Sequence, residues 1–245
     1  MTARFYAGLP LRTGESLALP EQAARHVQVL RLQPGDVITL FNSEGGEYQA
    51  AIERMGRSDV QVTVLAHQPV ECETRRRIHL AIGMPANERM DWLVEKASEL
   101  GAASITPLMA ERSVLRVKGE RADKKRAHWQ GIAVASCEQC GRNRVPQLHA
   151  VVTVAEWAAA LPPASTHAPR LLLSLRSGSQ PLPQAMAAFG SDAAVTLLSG
   201  PEGGLSVAEE ALALTQGFVA VTLGPRTLRA ETAPLAALVL LTQEG

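Results

Sequence analysis

From Ile78 onward the chain repeats one unit, a short apolar run followed by a stretch with apolar positions at helical spacing. This alternation restricts the fold more than any other feature of the sequence. Runs at 78–84, 104–108, 171–175, 195–199 and 218–223 read as strands, and helix-like stretches lie near 122–140, 153–161, 181–189, 206–216 and 232–243. The first strand leads into a further helix, read as capped by Asn87 and stopped by Gly101, in which Met90, Leu93, Val94, Ala97 and Leu100 share one face. Apolar strands separated by helices predict an α/β fold with a parallel sheet covered on both faces.

The first 70 residues follow a different rhythm. Segments 37–41, 48–53 and 60–65 read as short strands, Ser43-Glu44-Gly45-Gly46 supplies a turn, and 21–30 after Pro20 reads as one short helix. A small β-barrel over 1–70, then a larger α/β domain over 71–245, is the expected organisation. The polar segment 68–77 separates them.

Hydrophobic residues make up 46% of the 245 positions and charged residues 20%, a globular composition, and no apolar run approaches the length needed to cross a bilayer. The opening MTARFYAGLP lacks the charged-then-apolar order of an export signal and cysteines are few, so a cytoplasmic location without membrane association is expected. Cys137 and Cys140 form a lone CxxC, too few ligands for a structural zinc site, and read as helix-packing residues before redox or metal groups. Formal net charge is zero, yet cations cluster at Arg75, Arg76 and Arg77, again from Arg112 through Arg126, and at Arg142 and Arg144. These clusters read either as a local positive surface on a neutral protein or as solvated helix faces.

Two glycine-rich turns carry the functional signal: GPEGGLS at 200–206 and LGPRTLRAET at 223–232 each follow an apolar run and precede a helix-like stretch. Ser206-Val207-Ala208-Glu209 fits a reciprocal capping box that starts a helix, and Thr232 reads as the cap of the last helix. Gly200, Gly203 and Gly204 can bring backbone amides up to a ligand, with Glu202 at the rim. Neither turn fits a GxxxxGK[ST] phosphate loop or a complete GxGxxG fingerprint, which disfavours nucleotide phosphate binding. In the second turn Arg229 and Glu231 stand closest to any ligand, although a surface ion pair with capping is the competing reading.

The paired turns resemble the signature of the RsmE family within the SPOUT methyltransferases. Arg4-Phe5, His26, Val29-Leu30-Arg31, Glu95-Lys96-Ala97, Glu99-Leu100-Gly101, Arg112-Ser113, Glu138-Gln139, Arg142 and Pro146 fall in the family's order across nearly the whole chain. The resemblance implies an N-terminal PUA-like RNA-binding β-barrel and a C-terminal trefoil-knotted SPOUT domain, an exception to the rule against threaded chains. It implies an S-adenosyl-L-methionine-dependent enzyme that methylates N3 of a uridine in 16S ribosomal RNA, at family position 1498, as a homodimer acting on the RNA or the small ribosomal subunit. No metal is required. It further assigns the cofactor to three loops, with Leu175, then Ser199, Gly200, Glu202, Gly203 and Gly204, then Leu223, Gly224, Thr227 and Leu228 as its contacts. The loop around Leu175 follows the family pattern only loosely.

N3 of uridine carries a proton at neutral pH and lies on the pairing edge, so the base must be unpaired and deprotonated before methyl transfer. Arg229 is the candidate for stabilising the resulting charge on the uracil oxygens. Glu231 or Glu138 is the candidate base, and either can instead orient an arginine; Arg142 or Glu138 of one protomer is expected to face the other's cofactor. Arg4, His26 and Arg31 are expected to contact RNA phosphates, and His26 reads equally as a packed histidine. Two other readings stand beside this one. A SPOUT ribose 2′-O-methyltransferase would share the first turn but carry a Ser-Leu-Asn type second motif where this chain has Thr227-Leu228-Arg229, and a non-catalytic RNA-binding assembly factor would retain the fold without methyl transfer.

Overall fold

A computed structural model describes residues 2–243. The chain divides into two compact units, one holding the chain up to Glu73 together with Val134–Val145, the other Thr74–Ala133 together with the chain from Pro146 on. A division at residue 70 alone therefore misses one exchange: the last turns of a long helix and the loop after it group with the N-terminal unit. That exchange is invisible in local periodicity because the helix runs on without a break.

In the first unit the elements are β1 (Arg4–Tyr6), β2 (Ser16–Ala18), α1 (Glu21–Val29), β3 (Val37–Phe41), β4 (Glu47–Met55) and β5 (Val60–Gln68). Among the described residues they form one sheet in the order β1-β3-β4-β5-β2, antiparallel except for the β1–β3 pair. Phe5, Ile38, Leu40, Ile52 and Val62 from the strands meet Ala23, Ala24 and Val27 of α1 in one core. Register shifts in the β4–β5 ladder at Gln49/Ala50 and Ile52/Arg54 add the local twist that lets a small sheet curl around such a core. Strands β1 and β2, three residues each, are too short to leave a period-2 signal.

The second unit contains β6 (Ile78–Gly83), α2 (Asn87–Glu99), β7 (Ala102–Met109), α3 (Glu120–Cys140), β8 (Gln147–Leu148), β9 (Val152–Thr153), α4 (Val154–Ala159), β10 (Arg170–Leu173), β11 (Gln180–Pro181), α5 (Leu182–Met186), β12 (Val195–Ser199), α6 (Val207–Thr215), β13 (Phe218–Thr222) and α7 (Thr232–Thr242), with the end of α3 grouped as above. Every described pairing in its sheet is parallel, and the order is β11-β13-β10-β12-β6-β7-β8, with β9 also beside β7. The central strands β6, β10 and β12 are almost continuously buried, as parallel strands covered on both faces require. Helix α7 lies against α2, β6 and β12.

Two cap positions shift by one residue. Ala86 rather than Asn87 precedes α2, and Glu231 rather than Thr232 precedes α7, neither with a side-chain cap. The capping box at Ser206 forms as read: Ser206 Oγ accepts from Glu209 N (3.3 Å), and Ser206 N donates to Glu209 Oε2 (2.9 Å). The run Arg75 to Arg77 is not a continuous positive surface. Arg76 is buried and donates to the carbonyls of Leu241 (3.0 Å) and Gly190 (2.8 Å), placing a cation at the C-terminal end of α7.

Candidate active site

The loops after β10, β12 and β13 leave the sheet at the carboxyl ends of neighbouring parallel strands, the edge at which such sheets hold ligands. They enclose a cleft of about 700 Å³, a size suited to a small-molecule site. Leu173, Leu175, Leu205, Leu214, Val221, Leu223 and Leu228 supply apolar walls, and Ser174, Ser199, Glu210, Thr222 and Thr227 add polar groups. Of the ten cofactor contacts expected from the sequence, Leu175, Ser199, Gly200, Glu202, Gly203, Gly204, Leu223, Thr227 and Leu228 line this cleft, while Gly224 lies just behind it in the chain turn.

The first glycine loop is shaped by close approach. A Cβ on Gly200 would lie 2.7 Å from the backbone nitrogen of Leu205, and one on Gly203 would lie 2.9 Å from Cβ of Arg112. Gly204 has φ +68°, the left-handed region, and its N–H donates to Pro201 O (2.8 Å) to close the turn. Gly83, the last residue of β6, completes the fit: any Cβ there would sit 2.4 Å from Cδ of Pro201. Its only sequence signal was a glycine ending an apolar strand.

Glu202 is held at the rim by the N–H of Ala86 (3.0 Å) and by Arg89 Nη1 (3.3 Å), and Arg89 Nε lies 3.8 Å from Glu231 Oε1. Arg89 thus joins the two glycine loops electrostatically, a role hidden in the sequence because it sits on α2, more than a hundred positions from either loop. Glu231 Oε2 is buried without a hydrogen-bond partner. Glu231 is not among the residues that line the cleft, and this oxygen, although it lacks a partner, is shielded from solvent. Arg112, which also lines the cleft, donates through Nη1 to Gly203 O (3.0 Å).

In the second loop Gly224 takes φ +112°, and its N–H donates to Thr222 Oγ1 (3.2 Å). Arg226, Thr227, Leu228 and Ala230 line the cleft; Arg229 is exposed on the same loop outside that lining, and its carbonyl accepts from Thr232 N and Ala233 N, both at 3.0 Å. Arg112 and Arg226 are cations at the cleft that the sequence reading did not assign to it.

The remaining expected site residues belong to the first unit. Arg142 is buried and pairs with Glu73, Nη2 to Oε2 at 2.6 Å and Nε to Oε2 at 3.0 Å. Glu138 accepts from Tyr6 N (3.0 Å) through one oxygen and faces His26 Nδ1 (3.2 Å) through the other. Arg4 is bound to Glu47, to Asn143 Oδ1 (2.8 Å) and to the carbonyl of Gly141 (3.2 Å), and it stacks over Phe41. Its guanidinium is therefore engaged inside the unit and does not stand out to meet a phosphate. His26 remains part-exposed, and Arg31 is exposed with φ +57° just past α1. Cys137 is buried, with Sγ 3.8 Å from Arg144 O; its hydrogen bond with Cys140 and its burial push the thiol well above the ordinary range, so it packs as a neutral thiol.

Comparison with known proteins agrees with this architecture. Residues 72–242 match the RNA methyltransferase domain family, and residues 19–65 match the RNA methyltransferase PUA domain. The matched domains are those of an RNA methyltransferase. Ribosomal RNA small subunit methyltransferase E of Bacillus subtilis is 31% identical over 91% of this chain and 88% of its own length. Among solved structures, the enzyme of the same description from Neisseria gonorrhoeae, bound to S-adenosyl methionine, superposes with a TM-score of 0.87 at 33% identity, covering 98% of this chain and 97% of that one. A Legionella pneumophila structure in complex with the cofactor SAM gives 0.89 at 35% identity, with the same coverage. The chain belongs to the ribosomal RNA small subunit methyltransferase E family.

Proposed function

We propose that this protein transfers a methyl group from S-adenosylmethionine to N3 of a uridine in small-subunit ribosomal RNA, working in the cytoplasm as a homodimer. The observation that carries the reading is the cleft at the ends of β10, β12 and β13, where a glycine loop with no room for a Cβ at Gly200 or Gly203 meets a polar, exposed loop. When bound, S-adenosylmethionine supplies an electrophilic methyl group on a sulfonium. Ser199, Gly200, Glu202, Gly203 and Gly204 hold one side of it, and Leu223, Gly224, Thr227 and Leu228 hold the other. The leucines exclude water around the methyl group and so strengthen every electrostatic contact inside.

Each pKa unit by which N3 resists deprotonation at working pH adds about 1.4 kcal/mol to the barrier. Arg229 offsets that cost by stabilising charge on a uracil oxygen, with Arg112 and Arg226 as the cations already at the cleft. Glu231 takes the N3 proton: its Oε2 lacks a hydrogen-bond partner, whereas both oxygens of Glu138 already face groups of the first unit. Glu138 and Arg142 act in this reading as supports of their unit. His26 and Arg31 are retained as RNA contacts. The trefoil knot is also part of the proposal, supported by the path of α7, which leaves β13 and comes to lie on β12 and β6, past β10.

The test is methyl transfer from labelled S-adenosylmethionine to small-subunit particles and to free 16S RNA, followed by nucleoside analysis. N3-methyluridine is the expected product. A ribose 2′-O-methyl nucleoside would replace this reading with the 2′-O enzyme, and protein that neither binds the cofactor nor transfers label would favour the RNA-binding assembly factor.

A further inference from the structure

A second hollow, of about 390 Å³, lies on the far side of the first turn of α6 from the methyl-transfer cleft. Leu205, Val207 and Ala211 face the cleft, whereas Ser206, Ala208 and Leu212 line the hollow, so one helix start separates the two. Val154, Ala155, Ala208 and Leu212 give the hollow an apolar wall, and Arg116 and Lys118 stand at its edge. The Glu209 carboxylate at its end is already occupied by the N–H groups of Ser206 and Glu111, both at 2.9 Å.

What links the two spaces is the segment from Arg112 to Lys118. Ser113, Leu115 and Val117 are buried, whereas Arg112, Val114, Arg116 and Lys118 are exposed. Alternation of this kind marks an extended strap with one face on the protein and the other open to solvent. Its start is pinned at the cleft by Arg112 on Gly203 O, and four residues later Arg116 reaches the second hollow, a span of at most ~14 Å. The outward face thus carries Arg112, Arg116 and Lys118 in a line from one hollow to the other, with Arg112 donating to Gly203 O and Arg116 to Glu111 O, although the protein as a whole has no net charge.

We infer that the strap and the second hollow form a subsite for the single-stranded RNA next to the target nucleotide, with phosphates on Arg116 and Lys118 and an unpaired flanking base against Val154, Ala155, Ala208 and Leu212. The inference rests on the proposed function and deepens it. Unstacked bases in single-stranded RNA seek apolar or aromatic surfaces, and arginine and lysine at backbone spacing neutralise the phosphates between them.

Two variants test this in the full-length protein, R116A/K118A and A208W, all at exposed positions. Each is measured for S-adenosylmethionine affinity by calorimetry, for kcat and KM with small-subunit RNA, and for binding of a fluorescent single-stranded oligoribonucleotide spanning the methylated site across a salt series. In the double variant KM should rise about tenfold, and the slope of log affinity against log salt should fall by about 1.4, roughly 0.7 for each lost phosphate contact. A208W should fill the hollow and raise KM severalfold without changing the salt slope. Cofactor affinity should stay within twofold of wild type in both. Wild-type KM and salt slope in both variants would overturn the subsite. If wild-type protein binds the oligonucleotide with the expected variant effects yet transfers no methyl group, the proposed function fails while the subsite stands.

Discussion

Residues 200–206 and 223–230 both border the cleft, yet they are built under opposite constraints. In the first, Gly204 is bonded to Pro201, Glu202 to Ala86 and Arg89, and Ser206 to Glu209, and Gly200 and Gly203 have no room for a Cβ. In the second, residues 224–227 are all exposed, and a Cβ on Gly224 would meet nothing within 4 Å. A loop fixed by steric contact holds one shape before any ligand arrives; a loop with few contacts can settle around one. Under the proposed function this difference is a division of labour: the first loop is the preorganised side of the cofactor cradle, and the second is the adjustable side that meets both cofactor and base.

The strongest test of this division removes chemistry from the open loop without touching the cradle. Arg229→Ala should lower kcat by roughly 10²-fold or more, the scale of losing one preorganised charge-stabilising donor. Cofactor affinity and melting temperature should be unchanged. An unaffected kcat would remove Arg229 from the mechanism, and the same substitution at Arg226 would then show whether the cation lining the cleft takes that part.

The reverse experiment breaks the cradle. Gly200→Val forces side-chain atoms onto the Leu205 backbone, 2.7 Å from where the Cβ must go, and should cost about 2 kcal/mol, a typical overpacking penalty. For a chain of this size that lowers the melting temperature by about 4–8 °C, with calorimetric loss of cofactor binding. Normal binding in a stably folded variant would contradict a rigid cradle. A smaller effect is expected from Ser206→Ala, which removes one half of the capping box and should cost about 1 kcal/mol by thermal or denaturant unfolding.

The finest comparison uses two glycines of positive φ with open space around them, Gly204 at +68° and Gly224 at +112°. Alanine at Gly204 should cost about 1 kcal/mol, since the surrounding turn holds the backbone in place. At Gly224 the cost should be under half of that, roughly 0.5 kcal/mol or less, because an open turn relaxes to a permitted conformation. Equal losses in parallel denaturant titrations would show that the two loops are equally rigid.

Much of the fold is legible in local pattern because its causes are local. Strands β3 and β12 lie where the apolar runs at 37–41 and 195–199 place them, and α6 starts at the Ser206 capping box, since burial periodicity and a reciprocal side-chain bond act within a few residues. Nine of the cleft-lining positions follow from the glycine turns and the family resemblance they carry. Short strands such as β8, β9 and β11, two residues each, leave no such trace because they exist only by pairing with a neighbour already in place.

By itself, then, the sequence determined the alternation of strand and helix, the glycine turns and the family to which they belong. Tertiary structure alone decided which arginines act where. Arg76 and Arg142, written in the same basic clusters as exposed residues, are buried on carbonyls and on Glu73, while Arg89 and Arg112 reach the cradle across 113 and 91 positions of chain. Charge type is a property of the residue, but whether that charge faces solvent, a carboxylate or a ligand depends on which strands lie side by side. The parallel order β13-β10-β12-β6-β7 sets those neighbours over distances that no local period can encode.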